Sequence, residues 1–442
     1  MKSPLRGTFR SLNGFNYRVW ACGALVSNIG TWMQRIALDW LVLTELTPRN
    51  ATAVGVVMAL QYGPHLLLLP VTGFVADRLD RRKLLLATQA GMGALALLLG
   101  VLTLSGAVQL WQVYVLAFVQ GCVTAFDSPA RQAFVSELVG EADLSNAVGL
   151  NSTSFNVARM VGPAVAGLVI AAAGSGGAFL VNASSFGAVL CSLCLLRVGE
   201  LHRRDYGRRT PGGLLEGFRY VWTRPDLKTI LLMLFLVGTF GINFPIFIST
   251  MTVSVFHVGA QQYGLLMSTM AVGTIAGALL AAGREKPHIA LLPVGAVVFG
   301  CGLTLAALAP NIWLFGGALV IVGVSALTFT NSTSSLMQLS TAPGMRGRVI
   351  AIRLAVALGG TPIGAPIVGF VADRFGPRWS LAVGAASGVA AAMVGLRYLV
   401  KYRGLRMEAW RVKLDFDALI HTPRILPPPL VGECGVDEVR AR

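Results

Sequence analysis

The hexapeptide Gly-Phe-Val-Ala-Asp-Arg stands at residues 73–78 and returns unchanged at residues 369–374. Each copy closes a long apolar stretch, and a basic residue follows soon after, Arg81 in one case and Arg378 in the other. An aspartate at the end of a membrane helix is costly unless it is paired. Two copies in the same frame therefore indicate an internal duplication, which in a hydrophobic chain is typical of a transporter built from repeats.

The composition predicts an integral membrane protein. Only 13% of the 442 residues are charged and 55% are hydrophobic, whereas a soluble chain carries about a quarter charged residues. The 51 glycines suit membrane helices, whose backbones approach closely at small residues. The net charge of +16 does not indicate a nucleic-acid binder, because the basic residues lie between apolar stretches.

The apolar stretches predict twelve transmembrane helices, since each is close to the length of about 20 residues that a membrane helix needs. They cover residues 17–43, 53–76, 84–105, 109–130, 145–172, 177–197, 228–255, 262–283, 288–308, 312–338, 349–373 and 379–400.

The distribution of basic residues predicts that both termini are cytoplasmic. With that orientation, 31 of the 36 Lys and Arg residues fall on the cytoplasmic side and three on the outside, as the positive-inside rule requires. The remaining two, Arg35 and Arg159, lie inside predicted spans.

The predicted fold is an all-α membrane protein with two six-helix bundles. The bundles are residues 1–197 and 228–401, joined by a basic linker, 198–227, and followed by a cytoplasmic tail, 402–442. Residues 214–222 of the linker predict an amphipathic surface helix.

Two repeats connect the parts of this fold. Gly162-Pro163 to Gly167 aligns with Gly364 to Gly369 at an offset of 202 residues, which relates the two halves. The repeated hexapeptide ends spans 2 and 11 on opposite sides, which indicates inverted units of three helices within each half.

The stretch between spans 2 and 3 resembles the signature of the major facilitator superfamily, approximately Gly-x-x-x-Asp-Arg-x-Gly-Arg-Arg. Here it starts at Gly73, and Asp80 replaces the second glycine. A narrower resemblance, to the bacterial branch of proton-coupled exporters that contains the enterobactin exporter, the transmembrane secretion effector family, rests on residues 31–47, 126–134, 146–147 and 156–163. The resemblance covers about residues 10–400.

This resemblance implies a multi-pass protein of the bacterial inner membrane that is not an enzyme. It implies proton-driven efflux, by alternating access, of an amphipathic small molecule such as a siderophore, an antibiotic or another secondary metabolite. An importer of the same fold and a non-transporting membrane scaffold or receptor stay open as alternatives.

A group of charged residues near the cytoplasmic ends of spans 2 to 4 is the candidate gate. The resemblance implies that Asp77 faces the N-terminus of span 11 when the transporter is open to the outside, and we expect Arg81 to pair with Asp127 as a second contact. The alternative is that these charges only set topology. The candidate gating residues are Asp77, Arg78, Arg81, Asp127 and Arg131.

Polar residues inside the spans are candidates for the substrate cavity, because a charge in mid-membrane needs water or a partner. Asp39 is the candidate proton site; the alternative is a structural pair with Arg35, one turn away. His65, Asp127 and Glu137 are the other possible proton sites. The cavity candidates are Gln34, Arg35, Asp39, Ser152, Asn156, Arg159, Asn243, Asn331 and Gln338.

No pattern in the sequence indicates a cofactor or a metal. Five of the six cysteines lie in apolar stretches without a second pair to complete a site, and no Walker A, zinc or nucleophile-elbow motif occurs. The expected partners are a small-molecule substrate, protons and membrane lipid, with no nucleic acid, and we expect a monomer.

Overall fold

The computed structural model describes residues 8–68, 71–72, 75, 78–202, 214–282 and 288–403. Asp77 and nearly all of the tail lie outside this part of the chain. Within it the structure is helical, with no β-strand. The helices are α1 (Phe15–Trp40), α2 (Ala51–Leu67), α3 (Arg81–Leu104), α4 (Leu110–Leu138), α5 (Glu141–Leu195), α6 (Leu214–Thr223), α7 (Pro225–Leu236), α8 (Phe244–Thr250), α9 (Ala260–Ala282), α10 (Leu291–Leu308), α11 (Ile312–Leu339), α12 (Arg346–Phe375) and α13 (Pro377–Arg403).

Short irregular segments extend several of these helices. Single π-helical turns at Leu41–Leu46, Val237–Gly241 and Met251–Val255 prolong α1, α7 and α8. Three 3-10 turns cover Arg10–Asn13, Val198–Glu200 and Pro343–Met345.

Many of the helices have the length and apolar composition of membrane-spanning helices. In the described part of the chain, nine helical segments are long and apolar enough to do so. The longest, α5, has 55 residues but is interrupted at Gly174, whose backbone is not helical (φ 71°, ψ 177°). Only glycine adopts this conformation without steric cost, so α5 is two helices end to end, and the break falls between the predicted spans 145–172 and 177–197.

A second glycine with positive φ ends α12 in the same way. Gly376 has φ 101° and follows the last helical residue, Phe375. Gly376 and Gly174 are 202 residues apart, the same offset as the Gly-Pro repeat in the sequence. The first part of α5 and the whole of α12 therefore correspond from their repeated motif to their final glycine.

These two corresponding helices pack against helices of the opposite half of the chain, where the first half is residues 8–202 and the second is 214–403. Helix α12 packs on α2, and α5 packs on α9. At Gly369 the carbonyl of Ala51 leaves no room for a side chain, and at Gly167 the backbone of α9 at Ala260 does the same. Glycines at these positions let the backbones touch.

The two contacts define one end of the helix bundle. We call it the Asp373 end, since Asp373 lies in the last turn of α12, beside the start of α2. The opposite end, where α3 starts, is the Arg81 end.

The predicted surface helix is present as α6. Its Val221 is buried, while Leu215 and Trp222 are exposed. A salt bridge of 2.9 Å from Arg348 to Glu216 joins α6 to the beginning of α12. This helix therefore belongs to the second half of the chain at the Arg81 end.

Candidate functional site

The first turn of α2 is held by the aspartate of the second hexapeptide. Asp373 Oδ1 accepts a hydrogen bond of 2.7 Å from the backbone N–H of Ala51, and Oδ2 accepts 2.8 Å from the N–H of Thr52 and 2.5 Å from its hydroxyl. Asn50 caps the next N–H, that of Ala53, at 2.9 Å. The first N–H groups of a helix have no partner within the helix, and here a carboxylate from the other half of the chain satisfies two of them.

The corresponding contact between α5 and α9 has no such acid. The offset of 202 residues places Ala171 of α5 at the position of Asp373. A polar bond in this second contact lies further from the Asp373 end. There the Ser268 hydroxyl of α9 donates to the carbonyl of Met160 at 2.7 Å. The two contacts thus share their glycines and differ in their polar bonds.

Asp39 lies between the two halves. Its side chain is buried, with 6% exposed, and its Oδ2 accepts a hydrogen bond of 3.1 Å from the hydroxyl of Tyr263 on α9. Trp40 stacks on the Tyr263 ring with centroids 6.2 Å apart. No ion pair joins Asp39 to Arg35 within the described residues, so the structural pair considered from the sequence is not formed here.

Arg35 instead faces aromatic rings. Its guanidinium carbon lies 4.8 Å from the centroid of Trp32 and 5.8 Å from that of Tyr62, and Nη1 donates to the Tyr62 hydroxyl at 3.2 Å. Arginine above an aromatic face is a favourable cation–π arrangement.

Arg159 reaches across to the second half. It lies near the middle of the first part of α5, and its Nη2 donates to the hydroxyl of Thr274 on α9. Asn156 and Ser152 precede it by three and seven residues; Ser152 is exposed and Asn156 is half-buried. The polar face predicted on this span is therefore accessible.

Other cavity candidates are buried inside one half. Gln34 is 2% exposed and donates to Gln120 at 3.0 Å within the first half, where it also accepts a bond from Asn182. Asn243 is fully buried at the break between α7 and α8, and its Nδ2 donates to the Thr239 carbonyl at 2.7 Å. In this conformation neither of these two amide side chains, Gln34 and Asn243, offers an accessible surface to a substrate.

The remaining two candidates lie on α11. Asn331 is half-buried and Gln338 is exposed, with a bond of 3.3 Å from Gln338 to Ser334 of its own helix. The sequence placed both on one face, and among the residues that the structure describes neither has a hydrogen-bonding partner in the first half.

The expected pair between Arg81 and Asp127 is not formed. Arg81 pairs with Glu137 at 2.6 Å. Asp127 pairs with Arg131, one turn later on α4, at 2.9 Å, and accepts bonds from Thr88 at 2.8 Å and Gln89 at 2.6 Å on α3. A buried carboxylate needs several donors, and these lie within the first half.

Arg131 extends the same network to α1 by donating to Asn28 at 2.7 Å. Asp127 and Arg131 therefore hold α1, α3 and α4 together rather than facing α12. Two gate candidates remain. Arg78 is exposed and is not without an interaction partner, and Asp77 lies outside the described residues.

Arg353 is a buried cation that the sequence interpretation placed with the cytoplasmic loops. It lies seven residues into α12, is 7% exposed, and donates from Nη2 to the carbonyl of Thr330 on α11 at 2.7 Å. Its position inside the helix was visible in the sequence, but its burial depends on α11 packing beside it.

Comparison with known proteins decides the family. The model of the transmembrane secretion effector family matches residues 6–413. The chain belongs to this family. Its relatives are transporters of the major facilitator superfamily, so the protein is a multi-pass transporter of the plasma membrane and not an enzyme.

Three relatives of this secretion effector are transporters or efflux proteins. The staphyloferrin A transporter of Staphylococcus aureus is 26% identical over 79% of this chain and 87% of its own. The multidrug efflux pump Tap of Mycolicibacterium fortuitum is 26% identical over 80% and 88%. Macrolide efflux protein A of Streptococcus pyogenes is 25% identical over 83% and 92%.

Solved structures of major facilitator transporters share the fold of this secretion effector. A bacterial homologue of the lysosomal transporter Spinster, inward-facing and occupied, matches with a TM-score of 0.67 and 15% identity over 89% of this chain and 98% of its own. A bacterial homologue of ferroportin in an inward-facing state matches with the same score and identity over 87% and 98%.

Proposed function

We propose that this transporter exports an amphipathic small molecule, such as a siderophore, an antibiotic or another secondary metabolite, in exchange for protons by alternating access. Its relatives with efflux names support export, and the half-to-half contacts described above support alternating access. It acts as a monomer in the bacterial inner membrane.

The architecture that we propose has twelve spans in two six-helix bundles, residues 1–197 and 228–401, each made of inverted three-helix units. The break at Gly174 and the matching end at Gly376 support this division. The linker 198–227, the tail 402–442 and both termini are cytoplasmic, so the Arg81 end faces the cytoplasm and the Asp373 end faces outward.

In this assignment the conformation is closed towards the outside. The polar bonds between the halves, from Asp373, Tyr263, Ser268 and Arg159, lie between the Asp373 end and the middle of the bundle. Opening to the outside requires these bonds to break. The substrate would then enter from the cytoplasm in the present state and leave after the opposite end opens.

The observation that supports proton coupling is the position of Asp39. Its side chain is buried between the halves, and its hydrogen-bonding partner is a neutral hydroxyl. Burying an ionised carboxylate without a direct ion pair costs several kcal/mol. Closure of the outer end therefore favours a protonated Asp39. A proton taken up from outside would permit closure, and this links the proton gradient to the conformational cycle.

Asp39→Asn tests this proposal. Metabolite profiling of cells with and without the transporter first identifies an exported compound, and its transport is then followed in everted vesicles with an imposed pH gradient. We expect the variant to lose gradient-driven export and to keep substrate exchange, because the amide permits closure but carries no proton.

The matched control is Glu200→Gln, which removes an exposed acid on the cytoplasmic side. If Asp39→Asn responds to the gradient like the parent protein, Asp39 is structural. His65, Asp127 and Glu137 would then be the next acids and bases to test.

A further inference from the structure

One aromatic side chain of the first half, Trp32, contacts an arginine of its own helix and packs on the face of α5 that carries a second arginine. Arg35 stacks over Trp32. Trp32 in turn packs on α5, with its ring 5.8 Å from that of Phe155 and its Cβ against Gly162. Arg159 lies on α5 between these two positions, four residues after Phe155 and three before Gly162. Phe155 is 47% exposed, and both arginines are partly exposed.

Neither arginine has an acidic partner within the described residues. A charged side chain in the middle of a span costs about 3 kcal/mol on insertion scales, and a carboxylate usually offsets this cost. Arg131 shows the usual arrangement, since it pairs with Asp127. The one carboxylate near Arg35, that of Asp39, instead hydrogen-bonds to Tyr263.

Both guanidinium groups keep donors that are not used. A guanidinium carries five N–H donors, and the bonds to Tyr62 and Thr274 use one nitrogen of each. A planar fork of this kind binds a carboxylate through two parallel bonds.

The location separates this pair from Arg353, a more deeply buried arginine of the second half. Arg159 bonds to a residue of the second half, so its side chain lies on the surface between the halves. Arg353 lies two turns before Gly360, which packs on Thr239 within the second half. Arg353 therefore faces the inside of its own bundle and does not belong to the surface formed by Arg35, Trp32, Phe155 and Arg159.

We propose that this surface binds the substrate and that the substrate is an organic anion with a flat apolar part. Arg35 and Arg159 hold its acidic group, and Trp32 and Phe155 contact its ring or chain. The inference rests on the proposed transport function and names the class of compound that this transporter takes: carboxylates and similar anions rather than cations.

Two xanthene dyes of opposite charge test the substrate class. Fluorescein is an anion and rhodamine 6G a cation on the same ring system. Binding of each to the purified transporter in detergent is measured by fluorescence anisotropy, without a proton gradient. We expect fluorescein to bind at least about tenfold more tightly, because two charged contacts with an anion exceed this factor.

Variants of Arg159 test the residue. Arg159→Gln should weaken fluorescein binding by about tenfold or more, and Arg159→Lys, which keeps the charge without the planar fork, should lie between the two. Arg18→Gln, which removes an exposed charge near the start of α1, is the matched control and should bind like the parent. Gel filtration shows whether each variant is folded.

Rhodamine 6G binding as tight as fluorescein binding, or unchanged fluorescein binding by a folded Arg159→Gln protein, would overturn the assignment. Export is not measured here, so this result leaves the proposed function untouched. Conversely, a protein that binds fluorescein but shows no gradient-driven export would contradict the proposed function alone.

Discussion

Asp373 gives the sharpest prediction about the conformational equilibrium. Its carboxylate accepts three hydrogen bonds from the first turn of α2 at 2.5 to 2.8 Å. Asp373→Asn keeps one acceptor oxygen but removes the second acceptor and the negative charge at the positive end of the helix. The halves should therefore be held less tightly at the Asp373 end.

The size of the effect follows from the contacts and their exposure. A bond to a charged acceptor contributes about 1.5–3 kcal/mol when buried, and the favourable charge at a helix N-terminus adds about 0.5–1 kcal/mol. Asp373 is exposed, and solvent weakens both contributions. We expect a net loss of about 1–2 kcal/mol, which shifts the ratio of closed to open molecules by about 5- to 30-fold.

Spin labels on both sides of this contact measure the shift. One label replaces Arg49 before α2 and the other replaces Phe375 at the end of α12, in a protein without native cysteines. Pulsed dipolar spectroscopy should give a short distance for the parent and an added longer distance for Asp373→Asn. Arg374→Gln removes the neighbouring charge and is the control. Identical distance distributions for the parent and Asp373→Asn would refute the reasoning.

Two further variants address the buried polar groups. Tyr263→Phe leaves the Asp39 carboxyl without its hydroxyl donor, at a cost of about 1–3 kcal/mol. We expect gradient-driven export in vesicles to fall at least fivefold. Export equal to that of the parent would show that Tyr263 has no part in the mechanism. Asp127→Ala leaves the partly buried Arg131 without an anion. Because breaking a fully buried pair costs about 3–5 kcal/mol, we expect a loss below that range and a melting temperature in detergent below that of Asp127→Asn, which keeps an acceptor. Equal melting temperatures would contradict this account of the network.

The sequence predicted the helical membrane fold because apolar length, basic loops and repeated glycines are local properties of the chain. It also predicted a break between the spans on either side of Gly174 and the surface helix α6, whereas the cavity role of Ser152 and Asn156 stays a prediction. These features need no knowledge of which helices are neighbours.

Pairings between helices were harder to predict. The sequence suggested Arg81 with Asp127, but Glu137 follows on the same helix as Asp127 and is the residue that Arg81 contacts. Tyr263 could not be selected as the partner of Asp39, since 224 residues separate them. Arg353 was counted as a loop residue because a hydropathy pattern does not show which side of a helix faces a neighbour.

One contact between the halves could have been predicted from the sequence. The family resemblance implied that Asp77 faces the start of a helix of the other half, and the same argument applied to Asp373 would have indicated the start of α2. The repeat entered the prediction only through its symmetry, and the contact of Asp373 with the first turn of α2 was not predicted.

The difference between Asp373 and Ala171 has a consequence for how a duplicated protein works. The two matching helices end in Gly174 and Gly376, and among the contacts of the described residues given above it is the acid Asp373 of α12 that binds the opposite half. The packing of the two contacts is therefore similar while their energetics are not. Substitutions at one contact alter how firmly the halves are held, and those at the other mainly alter how closely they fit, so selection can adjust the two properties independently.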